Sequence, residues 1–238
     1  MAKSRKWTDP NLPVWFDGTN INEAVFCDEF LSSHKIIYSN RAFFTPDGRV
    51  TDDLPLRGEI FEWLKCCAVN NIPRKVSNIL EVMKLAAQVD DFPPLSDRIH
   101  LSNGTLMLDG SFIPGKLEIV RSRLPVAYNP DAPKPEQWLA FLDGLLYPED
   151  IVTLQEFIGY CLIPSNKGQR MMVIKGNGGE GKSQIGAVLG AVFGSNMKDG
   201  SIGKISENRF ARADLEHILL CVDDDMRMEA LRQTNYVK

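Results

Sequence analysis

The sequence has few of the residues that build metal centres or disulfide frameworks. Its 238 residues include five cysteines and three histidines. The cysteines form no C-x-x-C pair and no cysteine–histidine spacing of the kind that a zinc site needs. They are Cys27, Cys66, Cys67, Cys161 and Cys221. We therefore expect reduced thiols in an intracellular protein, without structural zinc or disulfides.

Long apolar runs and an excess of positive charge are also missing. No run approaches the roughly 20 apolar residues that a membrane helix needs. The first ten residues lack the apolar core of a secretory signal. The formal net charge is −4, so the chain as a whole is not basic in the way that many nucleic-acid-binding proteins are. These absences predict a cytoplasmic protein without a membrane partner, in which any nucleic-acid surface is local.

The apolar and turn residues are arranged as in a mixed α and β protein. Apolar residues make up 44% and charged residues 24% of the chain, which is enough to build a sizeable core. Turn signals at Asn103-Gly104 and Asp109-Gly110 predict a hairpin within residues 99–114. Short strands are expected within 34–50, and helical spacing of apolar residues predicts helices within 56–71, 74–89, 137–146 and 150–163.

Composition also predicts the domain organisation. Three prolines within YNPDAPKPEQ mark a linker or boundary near 128–136. Asp150 has the side chain of an N-cap for the predicted helix at 150–163. We divide the chain into an N-terminal tail, an α+β module, a helical bridge and an α/β segment, which span residues 1–24, 25–130, 131–168 and 169–238.

A glycine-rich loop carries the clearest chemical signal. The apolar run Met171–Lys175 predicts a strand before it, and an apolar helix is expected to begin near Gly181. The loop fits the pattern GxxxxGK[ST] with Gly176, Asn177, Gly178, Gly179, Glu180, Gly181, Lys182 and Ser183. Such loops bind phosphates through backbone N–H groups and a helix N-terminus. Lys182 would neutralise the β- and γ-phosphates, and the Ser183 hydroxyl would bind Mg²⁺.

The second half of such a site is expected where an apolar strand ends in carboxylates. Residues 218–222 predict a strand, and Asp223, Asp224 and Asp225 follow it directly. Ligands gather at the carboxyl ends of strands in parallel sheets. We assign Asp223 to the Mg²⁺ side and Asp224, together with Lys182, to catalysis, with Asp224 orienting or deprotonating the attacking water. The assignment of these roles among the three aspartates stays open by one position. The alternative interpretation is an acidic turn exposed to solvent after a core strand.

The spacing of the two motifs and the segments before them resemble a known family. Lys182 and Asp223 lie 41 residues apart, which is short for RecA-type and transporter ATPases. Together with NGTLMLDG and LPVAYNPDA upstream, the motifs resemble the superfamily 3 primase–helicases of viruses, phages and plasmids, over roughly residues 25–238. The resemblance implies an α+β helicase-associated module followed by a partial α/β P-loop NTPase domain of AAA+-like fold. It also implies ATP and Mg²⁺ as cofactors.

Members of this family form rings, usually hexamers, that hydrolyse ATP between subunits and move along single-stranded DNA. The resemblance implies an ATP-dependent DNA helicase component in the cytoplasm of a bacterial or phage-infected cell. Its partners would be single-stranded DNA or a replication fork, other replication proteins and copies of itself. The family's sensor and arginine finger have no counterpart before Lys238, so we expect a truncated ATPase core that hydrolyses ATP poorly alone. A fragment, a decayed mobile-element gene and one half of a split protein stay open as explanations.

A second hypothesis belongs to a different functional class. It is a non-catalytic module that binds nucleotide or DNA and assembles or loads a separate replication protein. Paired carboxylates of the kind that a primase active site needs are not found before Gly176. DNA contacts stay unassigned, because Arg209 and Arg212 either face a channel or are solvated charges on a helix.

Overall fold

The computed structural model describes residues 12–67, 70–90, 92–213, 215–224 and 226. The chain divides into two compact units, Met1–Phe92 and Pro93–Lys238. Both units contain helices and short strands, so the fold is mixed α and β with small sheets. Among the described residues, no helix is both long and apolar enough to cross a membrane.

The first unit combines helices with an antiparallel sheet in the order β1-β2-β3. The elements are α1 (Glu23–Ser33), β1 (Ile37–Ser39), β2 (Ala42–Thr45), β3 (Gly48–Arg49), α2 (Leu54–Leu64) and α3 (Ile72–Ala86). They confirm the predicted strands within 34–50 and the two predicted helices that follow. Helix α1 was not predicted. It begins after Asn22, whose Oδ1 accepts a hydrogen bond from the N–H of Val25 at 3.3 Å.

Helix α3 illustrates how the sequence builds the core of the first unit. Its buried residues recur at helical spacing and are Val76, Ile79, Leu80 and Met83. Pro73 lies in the first turn, where its fixed φ suits the helix and its missing N–H leaves no bond unmade. The hydrophobic cluster that α3 joins also includes Phe26, Phe30, Ile60 and Leu64. Burial of each such side chain contributes roughly 1.5–3 kcal/mol to folding.

The second unit contains an antiparallel and a parallel set of strands. The antiparallel sheet consists of β4 (Arg98–Leu101), β5 (Gly104–Met107) and β6 (Phe112–Pro114) in that order. The parallel pair consists of β7 (Met197–Asp199) and β8 (Leu220–Val222). The α-helices that the structure describes in this unit are α4 (Glu136–Leu145), α5 (Pro148–Cys161), α6 (Lys182–Phe193), α7 (Ile202–Glu207) and α8 (Arg209–Ala213).

Several predictions for the second unit are confirmed, and one cap is corrected. The predicted hairpin within 99–114 is present, and β6 extends it to three strands. Helices α4 and α5 lie where helical spacing placed them. Asp150, however, is not the N-cap of α5, because the helix begins earlier, at Pro148, which suits the first helical position. Asp150 lies in the first turn instead, where its negative charge interacts favourably with the helix dipole.

The division between the two units falls inside the range 25–130 that the sequence assigns to one module. Residues before and after the proline-rich stretch share one hydrophobic cluster, which includes Leu101, Leu124, Leu142 and Ile185. Asn103 holds the start of this stretch, since Nδ2 donates to Tyr128 O at 2.8 Å and Oδ1 accepts from Tyr128 N–H at 2.9 Å. The stretch at 128–136 therefore connects elements within the second unit.

Helix α6 and strand β8 position the residues of the two motifs. Helix α6 begins at Lys182, as the loop pattern predicts. Strand β8 covers the last three of the five residues predicted as strand at 218–222 and pairs in parallel with β7. The prediction of a strand at Met171–Lys175 is wrong. Exposure alternates along this segment as it would in a strand, but no described residue pairs with it in a sheet.

Candidate phosphate-binding site

The loop before α6 has a backbone conformation that depends on its glycines. Gly178, Gly179 and Gly181 have φ angles of +96°, +73° and +96°, a region that residues with a side chain rarely adopt. Gly181 is the N-cap of α6, so no side chain at that position caps the helix. The N–H groups of the first helical turn, with the partial positive charge of the helix N-terminus, therefore adjoin the loop.

Within the loop, the Glu180 carboxylate binds two of the loop's own donors. Lys182 Nζ donates a hydrogen bond to Glu180 Oε2 at 2.8 Å, and the N–H of Asn177 donates to Oε1 at 3.0 Å. The bond from Lys182, followed by that from Asn177, holds the pKa of Glu180 below its usual range. The Glu180 carboxylate is thus bound to Lys182, the residue to which the sequence analysis assigns phosphate binding.

Gly176 provides the space in which these charged groups meet. A Cβ atom at Gly176 would overlap the Glu180 carboxylate and lie 2.5 Å from Lys182 Nζ. A larger residue would push both groups out of position. The missing side chain of Gly176 therefore leaves room for the ion pair of two flexible side chains, whereas Gly178 and Gly179 are required by their backbone angles.

The hydroxyl of Ser183 reaches the acidic motif. Ser183 Oγ donates a hydrogen bond to Asp224 Oδ1 at 3.2 Å, across 41 positions of sequence. Ser183 lies in the first turn of α6, and Asp224 follows the last residue of β8 by two positions. The structure thus brings together the glycine-rich loop and one of the predicted aspartates.

The adjacent Asp223 has a different partner. Its Oδ2 accepts a hydrogen bond from the N–H of Ile202, the first residue of α7, at 2.8 Å. This bond satisfies one of the N–H groups that a helix start leaves without an intrahelical partner. The structure therefore places Asp224 at Ser183, although the sequence assigns the metal side to Asp223. Asp225, the third aspartate of the motif, lies outside the described residues.

A cavity of about 1080 Å³ borders both motifs. Residues of both motifs line it, namely Gly176, Lys182, Ser183, Asp223 and Asp224. Apolar side chains of α6 and β8, such as Ile185 and Leu220, form further parts of its wall. Ligand pockets of proteins commonly enclose roughly 300–1,000 Å³. The site therefore has room for a ligand of nucleotide size beside its polar groups.

The donor set at Ser183 and Asp224 suits magnesium more than a softer metal. In the described part of the chain, no three His, Cys, Asp or Glu side chains are grouped to hold a metal ion. Mg²⁺ commonly uses one or two protein oxygens and completes its shell with phosphate oxygens and water. The Ser183 hydroxyl and the Asp224 carboxylate are oxygen ligands of that kind.

The two arginines considered for DNA contact are held by local contacts. Arg212 Nη1 donates to the carbonyl of Ile205 at 3.2 Å. The Arg209 guanidinium lies over the Phe210 ring, 5.0 Å from its centroid. Both contacts lie within α7 and α8, and neither identifies a DNA-binding surface.

The pairing of Glu180 with Lys182 is the feature that the sequence interpretation missed. Glu180 was assigned to cofactor binding as part of the loop, without a role for its charge. A signal was present, because an acidic residue two positions before a lysine in a glycine-rich loop puts opposite charges within reach. The pattern GxxxxGK[ST] hides this signal, since any residue is accepted at the position of Glu180.

In comparison with known proteins, no family model and no curated protein matches the chain. Its function is therefore inferred from the residues and geometry of the site. The main features are the glycine-rich loop, the start of α6 at Lys182, and the hydrogen bond between Ser183 and Asp224.

Proposed function

We propose that this chain binds a nucleoside triphosphate with Mg²⁺ through the loop at 176–183 and Asp224. The observation that carries the proposal is the hydrogen bond between Ser183 Oγ and Asp224 Oδ1. It joins the first turn of the helix after the loop to the carboxyl end of a strand in a parallel pair. These are two places where α/β proteins bind phosphorylated ligands. ATP is the nucleotide that the resemblance of the motifs implies.

Phosphate binding is supported by the donors that surround the loop. Lys182 supplies an ammonium group that would neutralise the β- and γ-phosphates. The N–H groups in the first turn of α6 add hydrogen bonds and the positive end of the helix dipole. In hydrolysis, Lys182 would also stabilise the charge on the transferred phosphoryl group.

Magnesium fits the oxygen pair formed by Ser183 and Asp224. Neighbouring ligands of an octahedral Mg²⁺, each about 2.1 Å from the ion, lie about 3 Å apart. The Ser183 Oγ and Asp224 Oδ1 atoms are 3.2 Å apart, which is close to that separation. We therefore propose Asp224, with Ser183, as the metal-side residue in place of Asp223. The metal would neutralise phosphate charge when bound.

At the level of biological function, we propose an ATP-dependent DNA helicase component of the superfamily 3 primase–helicase type. The support is the order of the motifs, the separation of 41 residues between Lys182 and Asp223, and the upstream segments NGTLMLDG and LPVAYNPDA. The AAA+-like P-loop fold belongs to the same proposal. So do its partners, which are single-stranded DNA or a replication fork, other replication proteins and a hexameric ring of copies.

The second candidate function is a nucleotide-binding module that assembles or loads another replication protein without catalysis. The position of Asp223 favours this candidate. Asp223 would form an acidic pair with Asp224, but its carboxylate accepts a hydrogen bond from the N–H of Ile202 instead. Nucleotide binding needs Lys182, Ser183 and Asp224, whereas hydrolysis needs a further group to orient the attacking water. We expect binding of nucleotide with Mg²⁺ and little hydrolysis by this chain alone.

Titration with a fluorescent ATP analogue in the presence of Mg²⁺ tests the proposed binding. We expect saturable binding by the wild type and at least about tenfold weaker binding by Lys182→Ala, because charge-assisted bonds to phosphate are lost. Lys134→Ala is the matched control, since it removes the same charge from an exposed position in the proline-rich stretch. Equal affinity of Lys182→Ala and the wild type would contradict the proposal.

Phosphate release by the same proteins decides between the two candidate functions. Release that is lost in Lys182→Ala supports an ATPase that works within this chain. Binding without phosphate release supports the non-catalytic module.

A further inference from the structure

The loop of the proposed nucleotide site already holds an anion of its own. Both carboxylate oxygens of Glu180 are engaged, Oε2 by Lys182 Nζ at 2.8 Å and Oε1 by the N–H of Asn177 at 3.0 Å. A bound phosphate would need Lys182 and the backbone N–H groups of the same loop. The carboxylate therefore occupies donors that the proposed ligand must use.

We propose that Glu180 is an internal competitor of phosphate, which closes the loop in the absence of nucleotide and must leave Lys182 before phosphate can bind. This inference rests on the proposed function and adds to it a residue that sets nucleotide affinity. Gly176 supports the arrangement, because its missing side chain leaves the space in which the carboxylate and the ammonium group meet.

The carboxylate can be displaced because the ion pair lies near the surface. The side chains of Lys182 and Glu180 are 27% and 39% exposed, and solvent-exposed ion pairs are weak. A triphosphate carries more negative charge than a carboxylate and also interacts with the N-terminus of α6. It therefore replaces the Glu180 carboxylate, which moves into solvent.

Glu180 lowers the affinity for phosphate in two ways. In the free protein it competes for Lys182 and for the N–H of Asn177. In the bound protein its negative charge remains close to the phosphate and repels it. Replacement by glutamine removes the charge and keeps the shape of the side chain. Glu180→Gln is therefore expected to bind polyphosphate more tightly than the wild type.

Calorimetric titration of the full chain with inorganic tripolyphosphate measures this effect without the nucleoside. We expect about fivefold tighter binding by Glu180→Gln, which corresponds to the upper range for an exposed ion pair. Glu156→Gln is the matched control, because it removes the same charge from an exposed position on α5 and should leave the affinity unchanged. Added salt should reduce the difference between wild type and Glu180→Gln, since it screens exposed charges.

Two further proteins, Glu180→Ala and Lys182→Ala, separate failure of the inference about Glu180 from failure of the proposed function. Glu180→Ala should also bind more tightly, and circular dichroism verifies that both Glu180 variants are folded. Equal or weaker binding by both folded variants overturns the inference about Glu180. If Lys182→Ala loses tripolyphosphate binding in the same series, the proposed function survives that result. If Lys182→Ala binds as well as the wild type, or no protein in the series binds, the proposed function fails and the inference fails with it.

Discussion

Asp223 Oδ2 accepts a hydrogen bond from the backbone N–H of Ile202 at 2.8 Å, at the start of α7. The next residue, Asp224, accepts a hydrogen bond from Ser183 Oγ at 3.2 Å. Adjacent carboxylates after β8 thus bond to different elements, Asp223 to the first residue of α7 and Asp224 to the first turn of α6.

Replacement of Asp223 by alanine should lower stability and leave nucleotide binding in place. The N–H of Ile202 would lose its acceptor, and loss of a comparable helix cap costs roughly 0.5–2 kcal/mol. Urea denaturation measures the free energy of unfolding, and titration with a fluorescent ATP analogue measures the affinity. Asp223→Asn keeps an acceptor oxygen and should recover most of the stability. A stable Asp223→Ala protein without nucleotide binding would assign Asp223 to the site instead.

Replacement of Gly181 by alanine should destabilise the protein and distort the loop. Gly181 has a φ of +96°, and a Cβ atom there would lie 3.4 Å from the Phe141 ring. A left-handed backbone costs a residue with a side chain roughly 1–2 kcal/mol. Gly186→Ala is the matched control, because a Cβ at Gly186 meets nothing within 4 Å. It lies inside α6 and should stabilise the helix by roughly 0.5–1 kcal/mol. Opposite shifts in Tm are expected, and equal shifts would contradict the conformation of the loop.

His100 should make the stability of the second unit depend on pH. Burial lowers the pKa of His100 to about 4; Arg123 and Arg98 act in the same direction, and Glu118 opposes them. Because this value lies below the usual pKa of histidine, about 6.5, protonation favours the unfolded chain. The contribution of neutral His100 to the free energy of unfolding is complete above pH 6.5 and is lost as the pH falls toward 4. The loss amounts to at most about 1.4 kcal/mol for each pH unit.

Urea denaturation at pH 7 and pH 5 measures this pH dependence. His100→Gln is the comparison variant, because glutamine does not titrate and can still bond to Thr105, whose Oγ1 lies 3.1 Å from His100 Nδ1. The wild type should lose more stability than His100→Gln over this interval. Carboxylates elsewhere affect both proteins alike. The same loss in both proteins would show that His100 is not held neutral by burial.

The loop and its helix could be predicted from sequence because their signals are local. Glycines at 178, 179 and 181 allow positive φ angles, and the lysine and serine that follow begin an apolar helix. Each of these signals lies within a few residues of the structure that it determines. Helices α2 and α3 were predictable for the same reason, since spacing along one segment shows which face is apolar.

Features that depend on distant residues were not predictable in this way. Met171–Lys175 has the alternation of a strand, but a strand also needs a partner, and no described residue provides one. The choice between Asp223 and Asp224 depends on which of the two side chains the backbone after β8 directs toward Ser183, on a helix 41 positions away in sequence. The prolines near 130 indicate a boundary, whereas hydrogen bonds from Asn103 hold that stretch within the second unit.

The most direct test of the proposed site is a double-mutant cycle between Ser183 and Asp224. Titration with a fluorescent ATP analogue, with Mg²⁺ and with EDTA, would compare the wild type, Ser183→Ala, Asp224→Asn and the double variant. We predict that each single variant loses most of the Mg²⁺-dependent affinity and that the double variant loses little more. The coupling energy expected for residues that share one ion is roughly 0.5–3 kcal/mol. Additive losses, or an affinity that does not depend on Mg²⁺ in the wild type, would contradict a shared magnesium site.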